Sequence, residues 1–101
     1  MQSYEELVAT FSETAGISVS QMFGKACLKI NGKAFIAQHL EVMIFKLSAP
    51  HHKRAMTLQD AVLWDPSGKG RPMKEWVALP ASASTHFATF ANAALEYVAA
   101  G

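Results

Sequence analysis

The chain has little cysteine and no long apolar run, and each shortage excludes a class of protein. Cys27 is the only cysteine among 101 residues, so an intrachain disulfide and a zinc site built from several thiolates are both excluded. The first residues, MQSYEELVATFSETAG, are acidic where a signal peptide is basic, and no apolar run approaches the ~20 residues of a membrane span. We therefore expect a cytoplasmic protein, in a reducing compartment, that makes no membrane contact.

Composition and charge favour a single folded domain over residues 1–101. Half of the residues are hydrophobic and 17% are charged, a balance that argues against intrinsic disorder. The net charge is only +1, yet residues 21–54 carry six basic residues against one acidic residue. This basic segment either attracts an anion or nucleic acid, or places solvated lysines on strands. The isoelectric point of about 7.9 favours the second interpretation, because nucleic-acid-binding domains usually exceed about 9.

The first half of the chain predicts one helix and then a group of strands. Ser3 and Glu6 form an S-x-x-E capping box for a helix over residues 4–15, with Gly16 as its C′ residue. The segments KACLKIN, KAFIAQH and VMIFKL are rich in alternating, branched and aromatic residues, and they predict three antiparallel strands; Ile17 and Val19 are a weaker sign of strand before them. Asn31-Gly32 is the pair that a type I′ hairpin turn prefers.

The second half predicts a short helix, two strands and a final helix. Pro50 suits the first turn of a helix over residues 49–57, because no backbone hydrogen bond is lost there. AVLW and MKEWVAL predict the two strands, and a helix capped by Ser82 or Ser84 follows. The order α-βββ-α-ββ-α predicts an α+β domain, with an antiparallel sheet of about five strands, an N-terminal helix, a short middle helix and a C-terminal helix. The apolar stripe of the last helix is Phe87, Phe90, Ala94, Leu95 and Val98.

The loop DPSGKGRPMKEW, residues 65–76, carries glycines and basic residues but is not a P-loop. Its GKGR stretch lacks the G-x-x-x-x-G-K-[ST] spacing and leads into a strand instead of a helix. Proline and glycine explain most of the loop as a turn, and we expect the flanking Trp64 and Trp76 to lie near each other. Arg71 and Lys74 are not explained by the turn, and they either hold an anion or pair with nearby carboxylates.

Residues with catalytic or metal-binding chemistry show no motif. His39, His51, His52 and His86 lack the spacing of zinc ligands, so we expect no metal and no cofactor. Cys27 lies in the middle of a strand without a nucleophile motif, and we interpret it as a buried or half-buried inert thiol. We expect no catalytic residue.

Three segments together resemble the TfoX N-terminal-domain family over about residues 4–98. They are MFGKACLKINGKAFIAQHLEVMIFKL, KEWVALP and AALEYV. The resemblance implies a bacterial protein with a compact α+β domain, related in shape to YjbR-like proteins and without agreed enzymatic chemistry. The family's namesakes regulate competence genes and carry a second domain, whereas this chain is expected to be a single-domain member, which places the competence role in question.

Three hypotheses for function remain open at this point. The first is a non-enzymatic regulatory module that binds a protein or nucleic acid, the second is a small-ligand or anion-binding domain, with enzymatic activity left open, and the third is a homodimer with its function in the assembly. For nucleic acid or an anion, the candidate contacts are Lys25, Lys29, Lys53, Arg54, Lys69, Arg71 and Lys74. For a protein partner, they are Met22, Phe23 and Trp76. The small-ligand site is expected near Arg71, Lys74 and Trp76.

Overall fold

The computed structural model describes residues 3–66, 69–70 and 73–101, and within these ranges the chain forms three α-helices and six strands. The helices are α1 (Tyr4–Phe11), α2 (Ala49–Met56) and α3 (Phe87–Ala100), and a 3₁₀ segment (Ala81–His86) leads into α3. The strands are β1 (Ile17–Met22), β2 (Lys25–Ile30), β3 (Lys33–His39), β4 (Val42–Lys46), β5 (Val62–Trp64) and β6 (Met73–Leu79). They form one antiparallel sheet in the order β1-β2-β3-β4-β6-β5. This confirms the α+β class; the strand beyond the expected five is β1.

Helix α1 begins as predicted but ends early. The Glu6 N–H donates to Ser3 Oγ at 3.2 Å, which confirms the N-terminal cap. The helix ends at Phe11 and not at residue 15, so the prediction that Gly16 is its C′ residue is wrong. Gly16 has φ +86°, and its carbonyl accepts the Asn31 N–H at 2.9 Å. Glycine adopts this positive φ readily, and it thereby allows the segment before β1 to approach the β2–β3 turn closely.

Helix α3 buries the predicted stripe but begins differently. Four stripe residues are buried and Leu95 packs against the same core. The prediction that Ser82 or Ser84 caps the helix is wrong, because the 3₁₀ segment precedes α3 and, among the described residues, no side chain caps it. None of the helices in the described ranges is long and apolar enough to cross a membrane.

The helix-facing core is built on aromatic contacts between the sheet and the helices. Phe45 on β4 lies 5.7 Å from Phe87 and 6.3 Å from Phe90, between ring centroids. Phe11 lies edge-on to Phe35 at 5.7 Å. Each fully buried phenylalanine stabilises the fold by roughly 1.5–3 kcal/mol. These contacts hold α1 and α3 on one face of the sheet.

A β-bulge in β3 changes which side chains of this strand point to each face of the sheet. Leu28 pairs with Ile36 and Lys29 pairs with Ala34, which leaves Phe35 as an extra residue. Phe35 and Ile36 therefore both contribute to the helix-facing core. On the other face lies a second apolar cluster, which we call the tryptophan cluster; its described members all belong to strands. They are Cys27, Ala37, Ile44, Trp64, Trp76 and Ala78, with Met22, Ala34, Val42 and Met73 packed against them.

Candidate functional site

The two tryptophans that flank the β5–β6 loop pack against each other. Their ring centroids lie 5.6 Å apart with a tilt of 60° between the planes, which confirms the expected proximity of Trp64 and Trp76. Neighbouring positions carry the small side chains of Cys27, Ala37 and Ala78. Small residues leave room for the large indoles between the strands.

The turn between β1 and β2 places Phe23 on this cluster. Met22 pairs with Lys25, so Phe23 and Gly24 form a two-residue turn, with φ values of +54° and +75°. Two positive φ values are the pattern of a type I′ turn, which prefers Asn or Asp before Gly. The β2–β3 turn has that preferred pair: Asn31 and Gly32 have φ values of +52° and +82°, which confirms the predicted hairpin. Phe23 therefore occupies the position that asparagine takes in the equivalent turn.

Phe23 is exposed to solvent and rests on one tryptophan. Its ring lies edge-on to Trp64, with 6.0 Å between centroids, and 61% of the residue remains accessible. The left-handed conformation costs a bulky L-residue roughly 1–2 kcal/mol. An edge-to-face contact between two aromatic rings stabilises the fold by about 0.5–1.5 kcal/mol. The Trp64 contact thus offsets only part of the backbone strain.

Leu40 is a second exposed apolar residue at a hairpin turn, and sequence reasoning missed it as a contact residue. His39 pairs with Val42, so Leu40 and Glu41 form a two-residue turn in which Leu40 has φ +57°. Leu40 is 84% exposed. The signal that could have found it is an apolar residue in a two-residue hairpin loop, where glycine or a short polar residue is usual.

Phe23 and Leu40 lie at the same end of the sheet. Cys27 on β2 pairs with Ala37 on the antiparallel strand β3, so Lys25, two residues earlier, lies opposite His39, two residues later. The β1–β2 turn precedes Lys25 and the β3–β4 turn follows His39, and both turns therefore lie at the same end of the sheet. The two turns are separated by two strand spacings, roughly 10 Å along the sheet.

The structure brings the predicted protein-contact residues together but exposes them unequally. Met22 is half-buried against the tryptophan cluster and Phe23 is exposed. Trp76 is only 4% accessible, so it supports Trp64, which in turn supports Phe23, and presents little surface of its own. That these residues contact a protein stays a prediction.

The predicted basic contacts do not share one face. On β2, Leu28 points into the helix-facing core. Lys25 and Lys29 lie an odd number of residues from Leu28, so their side chains project from the opposite face, away from the helices. The others lie elsewhere: Lys53 and Arg54 are in α2, Lys74 is in β6, Lys69 is in the β5–β6 loop, and Arg71 falls outside the described residues.

Lys53 and Lys74 are brought together at a cavity of about 380 Å³ between α2, β6 and α3. We call it the α2–β6 cavity. The Tyr97 hydroxyl donates to Glu75 Oε1 at 2.9 Å, and this hydrogen bond raises the pKa of Tyr97. Lys46 Nζ lies 4.0 Å from Glu75 Oε2. The full lining is Leu47, Ala49, His52, Lys53, Lys74, Glu75 and Tyr97.

Cys27 is fully buried, as the sequence interpretation expected. Burial raises the pKa of the thiol, and the opposing effect of the nearby Lys29 charge is smaller. A thiol that is buried and protonated at neutral pH is a poor nucleophile. In the described part of the chain, no group of three or more His, Cys, Asp or Glu side chains is placed to hold a metal ion.

Comparison of the chain with protein-family models, with curated proteins and with solved structures gave no match in any of the three. The resemblance to the TfoX N-terminal-domain family therefore stays a prediction that depends on the sequence segments themselves.

Proposed function

We propose that this chain is a non-enzymatic binding module that contacts a protein through the hairpin end of its sheet. The resemblance to the TfoX N-terminal-domain family supports a regulatory role, such as control of transcription or competence. The observation that carries the proposal is Phe23, which combines an exposed aromatic ring with a left-handed backbone. Strained backbone at an exposed position is a feature of binding sites, where the strain is retained for function.

The support beneath Phe23 suits an interface anchor. Trp64 holds the ring from below and is itself packed against Trp76, and Met22 packs on the same cluster. Aromatic residues and methionine are enriched in interface cores, and a preorganised anchor loses less conformational entropy when it binds. Leu40 adds apolar surface at the same end of the sheet.

Protein contact is preferred over nucleic-acid contact because of where the basic residues lie. Lys25 and Lys29 project from the face opposite the helices, whereas Lys53 and Arg54 belong to α2. A duplex is held through phosphate contacts that follow one continuous basic surface. Because the basic residues are divided between two faces, they do not form one continuous surface of this kind.

A photo-crosslinker at position 23 tests the proposal. Benzoylphenylalanine in place of Phe23 keeps an aromatic ring at the turn, and the matched control carries it in place of Asn31. The control position has the same turn geometry but lies at the opposite end of β2. We expect an adduct with one defined protein from position 23, suppressed by excess unmodified chain and not by its Phe23→Asn variant. Equal adducts from both positions, or none from position 23, would reject the proposal.

Nucleic acid is tested separately by fluorescence anisotropy of labelled duplex DNA at low and near-physiological salt. We expect no saturable binding. Binding that weakens steeply with salt and is lost in a Lys53→Ala/Lys74→Ala variant would favour a phosphate contact instead, because counterion release gives such binding its salt dependence.

A further inference from the structure

We propose that the α2–β6 cavity binds a small organic carboxylate, with its carboxylate group held by Lys53 and Lys74 and its apolar part against Ala49. This site is separate from the Phe23 surface, and neither proposal depends on the other. The cavity of about 380 Å³ lies between α2, β6 and the last turns of α3. Ligand sites usually enclose about 300–1,000 Å³, so the cavity has room for a metabolite of a few carbon atoms.

The charges that line the cavity are unbalanced in favour of an anion. At this cavity Lys46 pairs with Glu75, and among the described residues neither Lys53 nor Lys74 has a carboxylate within 4.0 Å. Glu75 already receives the Tyr97 hydroxyl and lies near Lys46. The cavity wall therefore carries two ammonium groups against one carboxylate, a net positive charge that favours an anionic ligand.

The start of α2 adds to the positive potential. Ala49 lines the cavity and is the first residue of this helix. The first turn of a helix carries unpaired N–H groups and a partial positive charge, which favour a nearby anion. This contribution is supplementary, because the two lysines carry the full charges.

His52 supplies an unsatisfied polar atom at the same wall. Its Nε2 is buried and has no hydrogen-bond partner among the described residues. Buried polar groups nearly always have a partner, since leaving one unpaired destabilises the fold. In the tautomer that carries hydrogen on Nε2, rotation of the imidazole toward the cavity would allow it to donate to a ligand oxygen and would give His52 the partner it lacks.

This assignment moves the ligand site expected from sequence. Lys74 lines the cavity, but Trp76 belongs to the tryptophan cluster on the other face of the sheet. Arg71 falls outside the described residues. Lys53 and His52 join Lys74 in the described lining.

NMR titration with acetate and then butyrate, at constant ionic strength, tests the proposal. Each buried methylene is worth about fourfold in affinity, so we expect butyrate, with two more methylenes, to bind roughly fifteenfold more tightly than acetate. The signals to follow are the His52 ring nitrogens and the amides of Leu47 and Lys74. Shifts of these signals should saturate together. Equal affinities for the two acids, or tighter binding of inorganic phosphate than of butyrate, would reject an organic carboxylate as the ligand class.

Matched double variants separate a built site from general charge attraction. Lys53→Ala/Lys74→Ala should weaken butyrate binding at least tenfold. Lys25→Ala/Lys29→Ala removes the same charge from the opposite face and should leave the affinity within about twofold, as expected for exposed charges screened by salt. The amide spectra of both variants report whether the fold is kept. Equal losses in the two variants, or shifts that never saturate, would overturn the proposal.

Discussion

Phe23 contacts Trp64 across the sheet, from the turn that follows one edge strand to the opposite edge strand. Strands β1 and β5 lie at the two ends of the strand order, and yet these rings are 6.0 Å apart. A flat sheet of six strands would separate its edges by roughly 24 Å, at about 4.8 Å for each spacing. The sheet therefore curves strongly around the tryptophan cluster. Curvature explains how Cys27 is fully buried on a face where the described cluster members are all strand residues.

The first prediction concerns the backbone of Phe23. Phe23→Asn places the preferred residue in a type I′ turn, which relieves roughly 1–2 kcal/mol of strain. The substitution also removes the Trp64 contact, worth about 0.5–1.5 kcal/mol. We expect the free energy of unfolding in urea to change by no more than about 1.5 kcal/mol, because the two effects oppose each other. Phe23→Ala loses the contact without the same relief and should be clearly less stable than Phe23→Asn. The reverse order of stability would show that the turn is not strained.

The second prediction is an energetic coupling between Phe23 and Trp64. A double-mutant cycle with Phe23→Ala and Trp64→Ala should give a coupling free energy of about 0.5–1.5 kcal/mol, since an edge-to-face pair is worth that much beyond its buried area. The matched cycle pairs Phe23→Ala with Trp76→Ala, because Trp76 reaches Phe23 only through Trp64. A smaller coupling is expected there. Additive effects in the Phe23–Trp64 cycle would contradict the contact.

Local sequence patterns predicted most of the elements of this fold. The N-terminal cap at Ser3, the Asn31-Gly32 turn and the stripe of α3 depend on interactions within a few residues, which a sequence displays directly. The ends of α1 and α3 were predicted less well. Gly16 has its positive φ because the chain there meets Asn31, and this contact is between residues far apart in sequence.

The candidate sites were harder to predict because they depend on how strands are ordered and curved. Phe23 was chosen from an apolar pair before glycine, but its support by Trp64 arises only when the edges of the sheet approach each other. The α2–β6 cavity combines Lys53 and Lys74 from elements that are not neighbours in the chain. Alternation shows which side of a strand a lysine takes but not which helix lies beside it.

The third prediction compares two glycines that both have positive φ. At Gly16, with φ +86°, an added Cβ would collide with the Asn31 side chain, whereas at Gly24, with φ +75°, it would meet no atom within 4 Å. Gly24→Ala should therefore cost only the left-handed conformation, roughly 1–2 kcal/mol. Gly16→Ala should lower the free energy of unfolding further, measured by urea denaturation of both variants. Similar values for the two would show that the Asn31 side chain moves aside without cost.

The fourth prediction concerns Cys27 and alkaline pH. Burial raises the pKa of this thiol above its ordinary value of 9.0, so the folded chain holds the proton more tightly than the unfolded chain does. The contribution to stability is fully present below the unfolded pKa and is lost as pH rises through the folded pKa. Burial also raises the pKa of Tyr4, which acts in the same direction at higher pH, above its ordinary value of 10.0. The free energy of unfolding should therefore fall as pH rises above about 8.5.

Cys27→Ala separates the thiol from the tyrosines, because it removes the group that titrates at the lowest pH among those with a raised pKa. We expect the variant to have a lower absolute stability, from the small cavity left in the tryptophan cluster. Its stability should nevertheless change less than that of the natural sequence between about pH 8 and 10. Urea unfolding at several pH values measures both quantities. A parallel decline of the two proteins over this range would mean that the thiol ionises as easily in the folded chain as in the unfolded one, and that the cluster does not exclude water from Cys27.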